Sequence, residues 1–115
     1  IYNTAKEAAI KAEKAFLEQH GEPMYCGFAW VNVKTAKGNT KVGKAQRAEL
    51  EAAGFRPSYS GGMDLWTAGA YNGQSMDIKE AGAQAYAKVL RDAGMTAYMM
   101  SRADWNKFAS KDWRE

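Results

Sequence analysis

FRPSYSGGMDLWTA, residues 55–68, sets two short runs of strand-forming residues, Phe55 to Ser60 and Met63 to Ala68, on either side of Gly61-Gly62. A glycine pair takes the positive-φ conformations that a tight turn between antiparallel strands demands, so the spacing predicts a β-hairpin. Before it, Asn39 or Thr40 can cap a helix running to about Ala53 and closed by Gly54. Before that, Met24 to Val33 is rich in aromatic and β-branched residues and reads as a first strand. Strand alternation puts Phe28, Trp30 and Asn32 on one face and Ala29, Val31 and Val33 on the other. After the hairpin comes a loop, Gly69 to Met76, and Asp77-Ile78-Lys79-Glu80 then opens another helix in the manner of a capping box. Ile78, Ala81, Ala85 and Val89 form its apolar stripe, Gly94 ends it, and Met95 to Arg102 is the last strand.

The order is βαββαβ, which right-handed crossovers turn into an antiparallel four-stranded sheet with both of these helices on one face, a ferredoxin-like α+β fold. An extra helix precedes it. Thr4 and Glu7 have capping-box spacing, and the helix runs from about residue 4 to 19 with Gly21 and Pro23 behind it. Its stripe of Ala5, Ala8, Ala12 and Phe16 allows close approach to a neighbour. Trp105, Phe108 and Trp113 imply a short amphipathic helix at the end. All 115 residues fit one domain, with its core over about 24–102. A chain of this length hides about two-thirds of its unfolded surface. The topology brings the first strand's start, the Gly69–Met76 loop, the third helix's start and the last strand's exit to one edge. The Gly61-Gly62 turn and the loop after the first strand share the opposite edge.

Composition narrows the function classes. Apolar residues make up 46% and charged residues 25%, as in ordinary globular proteins, which argues against disorder. One cysteine, Cys26, and one histidine, His20, cannot assemble the usual zinc set, a disulfide framework or a Ser–His–Asp triad independent of His20. We therefore expect no metal, no cofactor and a reducing, cytoplasmic setting. No apolar run approaches the ~18 residues of a membrane span and no signal-peptide pattern opens the chain, so no membrane partner is expected. Charge is uneven within a net +3: no acidic residue falls between Pro23 and Ala48, where Lys34, Lys37, Lys41, Lys44 and Arg47 lie. Such a patch suits either solubility or the attraction of phosphates.

Several motifs carry chemistry. Gly38 to Lys44 (GNTKVGK) has the glycine and lysine spacing of a phosphate loop, but Ala45 stands where serine or threonine would hold magnesium. CGFAWVNV, residues 26–33, resembles the long signature of RNA-recognition motifs, whose exposed aromatics stack on bases. That family carries it on the third strand rather than the first. A single-stranded nucleic-acid module would use Phe28 and Trp30 with Lys37 and Lys41. The competing expectation, which we favour from sequence, has these rings covered by the N-terminal helix or a second subunit. At the other edge, Gln74, Ser75, Lys79 and Arg102 are candidates for holding an anionic ligand, with Tyr59 or Trp66 stacking on it. Glu80 reads first as a helix cap. With Tyr59 and Asp104 it is also a candidate for acid–base or electrostatic work.

CGFAWV (26–31), SYSGGMDLW (58–66), NGQSMDIKEAGAQAYAKVL (72–90) and AYMMSRAD (97–104) together resemble a group of small proteins recurring in tailed-phage genomes. The resemblance implies an accessory role in the host cytoplasm, acting on host metabolism or defence, and supplies no catalytic residues. In size and element order the chain is also similar to phage S-adenosylmethionine lyases, which are trimeric, place their sites between subunits and release methylthioadenosine. A sulfonium substrate would favour aromatic faces and a carboxylate, roles open to Tyr59, Trp66, Glu80 and Asp104. The leading expectation is thus a homo-oligomer, a trimer by preference, binding a nucleotide-like small molecule between subunits. The lyase and the nucleic-acid module are the alternatives.

Overall fold

The computed structural model describes residues 1–21, 27–37, 39–58, 61–71, 73 and 75–103. Its elements are α1 (Tyr2–His20), β1 (Gly27–Val33), α2 (Lys41–Ala52), β2 (Arg56–Pro57), β3 (Met63–Leu65), α3 (Met76–Asp92) and β4 (Ala97–Ala103). The four strands form one sheet in the order β2-β3-β1-β4, and every neighbouring pair is antiparallel. The mixed α+β architecture, the four antiparallel strands and the element order agree with the sequence reading. The expected terminal helix with Trp105, Phe108 and Trp113 lies outside the described residues.

β1 organises the core. Ala29, Val31 and Val33 are buried on one face, and α3 packs across β1 and β4 there. The β3 residues Met63 and Leu65 extend the same buried surface, on which Tyr86, Ala87 and Leu90 of α3 converge. α1 runs along α3 and adds Ala5 and Ala9, while α2 contributes Leu50 and the Phe55 that follows it. The helical layer is therefore chiefly α1 beside α3, where the sequence reading had α2 beside α3. α2 buries only Gly43 and Leu50 among its residues, too little to back a sheet. The Tyr86 phenol, enclosed near Phe55 and Tyr2, is pushed up to about 12 by burial, with Tyr2 adding to the effect.

Local chemistry shifts several boundaries. α1 starts at Tyr2 with Ile1 as its N-cap and no side-chain cap bond, so Thr4 is already helical and the Thr4–Glu7 capping box does not form. The buried residues are Ala5, Ala9 and Glu13, an i, i+4 row instead of the expected Ala5, Ala8 and Ala12. α3 is capped by Ser75, whose Oγ accepts the Ile78 N–H at 3.4 Å. Asp77 and Glu80 thus fall inside the helix, Asp77 in the first turn where a carboxylate complements the macrodipole. The α3 core row is Ile78, Gly82, Ala83, Tyr86, Ala87 and Leu90, the face that packs on β1, β4 and α1, with Gly82 leaving space for Glu13. Gly61 and Gly62 have φ of +97° and +73°, as the turn requires. Within the expected strand Phe55 to Ser60, β2 covers Arg56–Pro57. The Ser58 N–H still reaches the Gly62 carbonyl at 3.1 Å, so Pro57 falls at a position whose nitrogen faces away from β3. Tyr59 and Ser60 lie outside the described residues.

The loop into α2 folds onto the helix start. The Thr40 hydroxyl donates to the Lys37 carbonyl at 2.7 Å and accepts the Gly43 N–H at 3.0 Å. A Cβ on Gly43 would run into the Lys37 carbonyl. Gly43 is therefore a packing residue with a capped amide rather than part of a phosphate cradle. In an unobstructed helix Gly→Ala stabilises by about 1 kcal/mol. Here Gly43→Ala should destabilise by about 1–3 kcal/mol, as overpacked sites do. A thermal melt decides by its sign, and a raised Tm would mean that the loop does not sit on the helix.

Candidate functional site: an open aromatic face beside a carboxylate-lined cavity

The helices cover one face of the sheet and leave the other uncovered among the described residues. Phe28, Trp30 and Asn32 of β1 project there, flanked in register by Arg102, Met100 and Tyr98 of β4. Trp66, immediately after β3, lies on the same side. Its ring stacks on Trp30 at 4.3 Å between centroids and 26° between planes, and meets Phe28 edge-on at 6.4 Å and 79°. Such pairs contribute about 0.5–1.5 kcal/mol each beyond the area they hide. The cluster nonetheless remains open: Trp66 is 49% exposed, Phe28 39%, and Tyr98 and Met100 continue the surface at 49% and 40%. Of the two covers expected for Phe28 and Trp30, the N-terminal helix is not one, because α1 packs on α3 at the opposite face. The rings shield one another instead.

Two cations border the aromatic end. Lys79 lies in the first turn of α3, where the helix dipole disfavours a positive charge. Its Nζ donates to the Gly27 carbonyl at 3.1 Å and sits 5.2 Å from the centre of the Phe28 ring. Arg102, directly across from Phe28 on β4, is exposed. Farther along the face, Asn32 Nδ2 donates to Asp64 Oδ1 at 2.7 Å and to the Gly61 carbonyl at 3.1 Å. This buried pair occupies facing positions of β1 and β3.

Beside Trp66 a cavity of about 230 Å³ opens between α1, the loop after β3 and the start of α3, lined by Glu13, Trp66, Tyr71, Gly73 and Lys79 among others. Glu13, 7% exposed, anchors this loop to α1. Its Oε1 accepts the N–H groups of Ala70 and Tyr71 at 3.0 and 3.1 Å. The carboxylate fits there because Gly69 and Gly82 lack the Cβ atoms that would collide with it. The Tyr71 hydroxyl in turn accepts the Ser75 N–H at 3.0 Å, so one chain of contacts runs from α1 through the loop to the α3 cap. Burial raises the Glu13 carboxyl above its ordinary value, and the two backbone donors pull it back down.

The candidates read from sequence separate into groups. Trp66, Lys79, Arg102, Phe28 and Trp30 come together at one end of the sheet, merging parts of the ligand and nucleic-acid sets. Ser75 is 2% exposed and spends its hydroxyl on the helix cap. Glu80 is half-buried along α3 rather than at its cap. Lys37 and Lys41 lie at the opposite end, near the Gly61-Gly62 turn and beyond Lys34, whose Nζ reaches the Gly61 carbonyl at 3.5 Å. Tyr59, Gln74, Asp104 and Cys26 fall outside the described residues. Among the described residues no group of three or more His, Cys, Asp or Glu side chains could hold a metal, and no helix is long and apolar enough to cross a membrane. Glu13 and Tyr71 escaped the sequence reading. The available signal was Glu13 standing four residues after Ala9 on the row Ala5, Ala9, Glu13.

Protein-family models, curated proteins and solved structures yield no match to this chain. The site has to be read from its own chemistry.

Glu13 makes a pH prediction. A carboxyl raised in the fold binds its proton more tightly there than in the unfolded chain. Its contribution to stability is therefore full below the ordinary value of 4.5 and is lost as pH rises through the folded pKa. Glu13→Gln keeps a carbonyl acceptor for Ala70 and Tyr71 but cannot ionise. Its stability relative to wild type should rise between pH 4 and pH 7 in paired urea titrations, and a flat or falling difference would show that the ionised carboxylate carries no burial penalty.

Proposed function

We propose that the uncovered sheet face binds single-stranded nucleic acid by stacking bases on Trp66 and Phe28, with phosphates drawn to Lys79 and Arg102. The observation that carries this reading is the cluster of exposed Phe28 and Trp66 with half-buried Trp30, bordered by two cations. Base–aromatic stacking contributes about 1–3 kcal/mol per base and tolerates any sequence. The strand order and antiparallel pairing also support the finer description of the fold as ferredoxin-like, a layout that leaves one sheet face free for such use. An accessory protein of a tailed phage, as the sequence resemblance implies, is the setting we propose for this activity.

The small-molecule reading draws support from the cavity beside Trp66. Its carboxylate and its Trp66 and Tyr71 rings would suit a sulfonium or ammonium group, and Lys79 an anion. A volume of about 230 Å³ is below the ~300 Å³ at which pockets begin to enclose a ligand of drug size. A second subunit would have to complete it. The open face needs no completion, which is why we favour it.

Titration of a labelled oligothymidylate, followed by tryptophan quenching, tests the proposal. Trp66→Ala should weaken binding by about 5- to 150-fold, the equivalent of one lost stacking contact. For single strands log K falls with log salt at about −0.7 per phosphate neutralised. Lys79→Ala with Arg102→Ala should therefore flatten that slope by about 1.4. Equal affinity for mononucleotides, or release of methylthioadenosine from S-adenosylmethionine, would favour the cavity instead. Absence of all binding at low salt would sink the open-face reading.

A further inference from the structure

The sheet treats its two edges differently. The β2 edge is two residues long and carries Arg56 and Pro57, a charge and a residue without an N–H, both of which discourage pairing with another chain. The β4 edge is seven residues long, Ala97-Tyr-Met-Met-Ser-Arg-Ala103, with no proline or lysine in it. Such an edge is a template for one more strand.

Which backbone groups are available follows from the ladder. Lys34 N–H donates to the Thr96 carbonyl at 2.9 Å, which sets the alternation of the β1–β4 pair. Tyr98, Met100 and Arg102 turn their N–H and C=O groups toward β1, and Ala97, Met99, Ser101 and Ala103 turn theirs outward. Arg91 confirms the parity from outside by donating Nη1 to the Ala97 carbonyl at 2.9 Å. That contact occupies one end of the edge. Met99 and Ser101 keep both groups free among the described residues. Beside them lies a groove of about 580 Å³ between β4 and the flank of α3, lined by Ala81, Ala85 and Met99 together with the longer Gln84, Lys88 and Arg91.

We propose that this edge pairs antiparallel with β4 of a second copy, about a two-fold axis through Met100, to give a continuous eight-stranded sheet. The choice of occupant rests on self-complementarity. With the axis at Met100, Met99 faces the partner's Ser101 and Ser101 faces the partner's Met99, which uses all four free donors and acceptors. On the open face Tyr98 then stands opposite the partner's Arg102, a cation against an aromatic ring, and Met100 opposite the partner's Met100. No like charges meet across these pairs. Moving the axis to Met99 would set the partner's Ser101 against Ala97, whose carbonyl Arg91 already holds, and would separate Tyr98 from the partner's Arg102. The proposal is independent of the nucleic-acid reading. Its consequence for that reading is that two aromatic faces would lie side by side on one surface.

Light scattering of the full chain at micromolar concentration tests it. The wild type should have twice the 12.7 kDa of one chain. Ser101→Pro removes an outward donor from an exposed residue and leaves the β1 ladder intact. This variant should run as a monomer with unchanged far-UV circular dichroism. Met100→Cys in a Cys26→Ser background tests the register separately. Facing non-bonded residues of antiparallel strands have Cα atoms about 4.5 Å apart, within the range a disulfide spans. Mild oxidation should therefore cross-link Met100→Cys chains into dimers. A wild type of one or three chains, a Ser101→Pro variant that stays dimeric, or a dimer in which Met100→Cys fails to cross-link would each overturn the proposal.

Discussion

β1 has two faces of opposite character, and the rest of the molecule is arranged around that difference. Ala29, Val31 and Val33 are small or β-branched, so α3 can lie close to the sheet and α1 close to α3. The alternating positions hold Phe28, Trp30 and Asn32, which point to the side where no helix goes. Because alternation along a strand is strict, burying one set beneath α3 turns the other to the opposite face. With α3 on one face and α1 packed on α3, an aromatic surface is left on the other. Its residual apolar area is the kind that marks a binding surface in a folded domain.

α1 matters to this surface although it lies on the far side. Through Glu13 it holds the amides of Ala70 and Tyr71, and Tyr71 holds the Ser75 amide, so the segment between Trp66 and Lys79 is tied at both ends. A buried carboxylate would be unfavourable in isolation. With two donors and two glycines shaped to it, it becomes a clamp on a loop that would otherwise be free to change shape. The ring and the ammonium that border the site are positioned by this clamp rather than by the sheet alone.

Much of this arrangement was legible in the chain. Gly61-Gly62 gave the hairpin, and the β1 alternation correctly separated Phe28 and Trp30 from Ala29 and Val31. The topology also placed Lys79 and Arg102 at the same edge of the sheet. What stayed hidden depended on contacts between distant segments. Alanine-rich α1 offered several equivalent stripes, and only the fit of Glu13 against Gly69 and Gly82 selects Ala5, Ala9 and Glu13. Asp77 and Ser75 were both competent N-caps by residue type. The extended backbone at Ser75, tethered through its own N–H to Tyr71, decides between them. Burial of Phe28 and Trp30 beneath α1 failed as an expectation because α1 finds a closer partner in the glycine and alanine face of α3.

The recognition proposed for the open face would take its character from the polar groups that remain unspent. Asn32 is the side chain on β1 best suited to reading a base edge, yet its amide is committed to Asp64 and the Gly61 carbonyl. Asn32 and Asp64 are 2% and 7% exposed, so a ligand could reach them only by breaking a bond that would leave a buried carboxylate short of a donor. What the surface offers instead is ring faces and the charges of Lys79 and Arg102. Rings accept any base and cations accept any phosphate, so under the proposed reading the described residues of this face favour sequence-tolerant binding. They would still select single strands, since only unpaired bases expose their faces to be stacked.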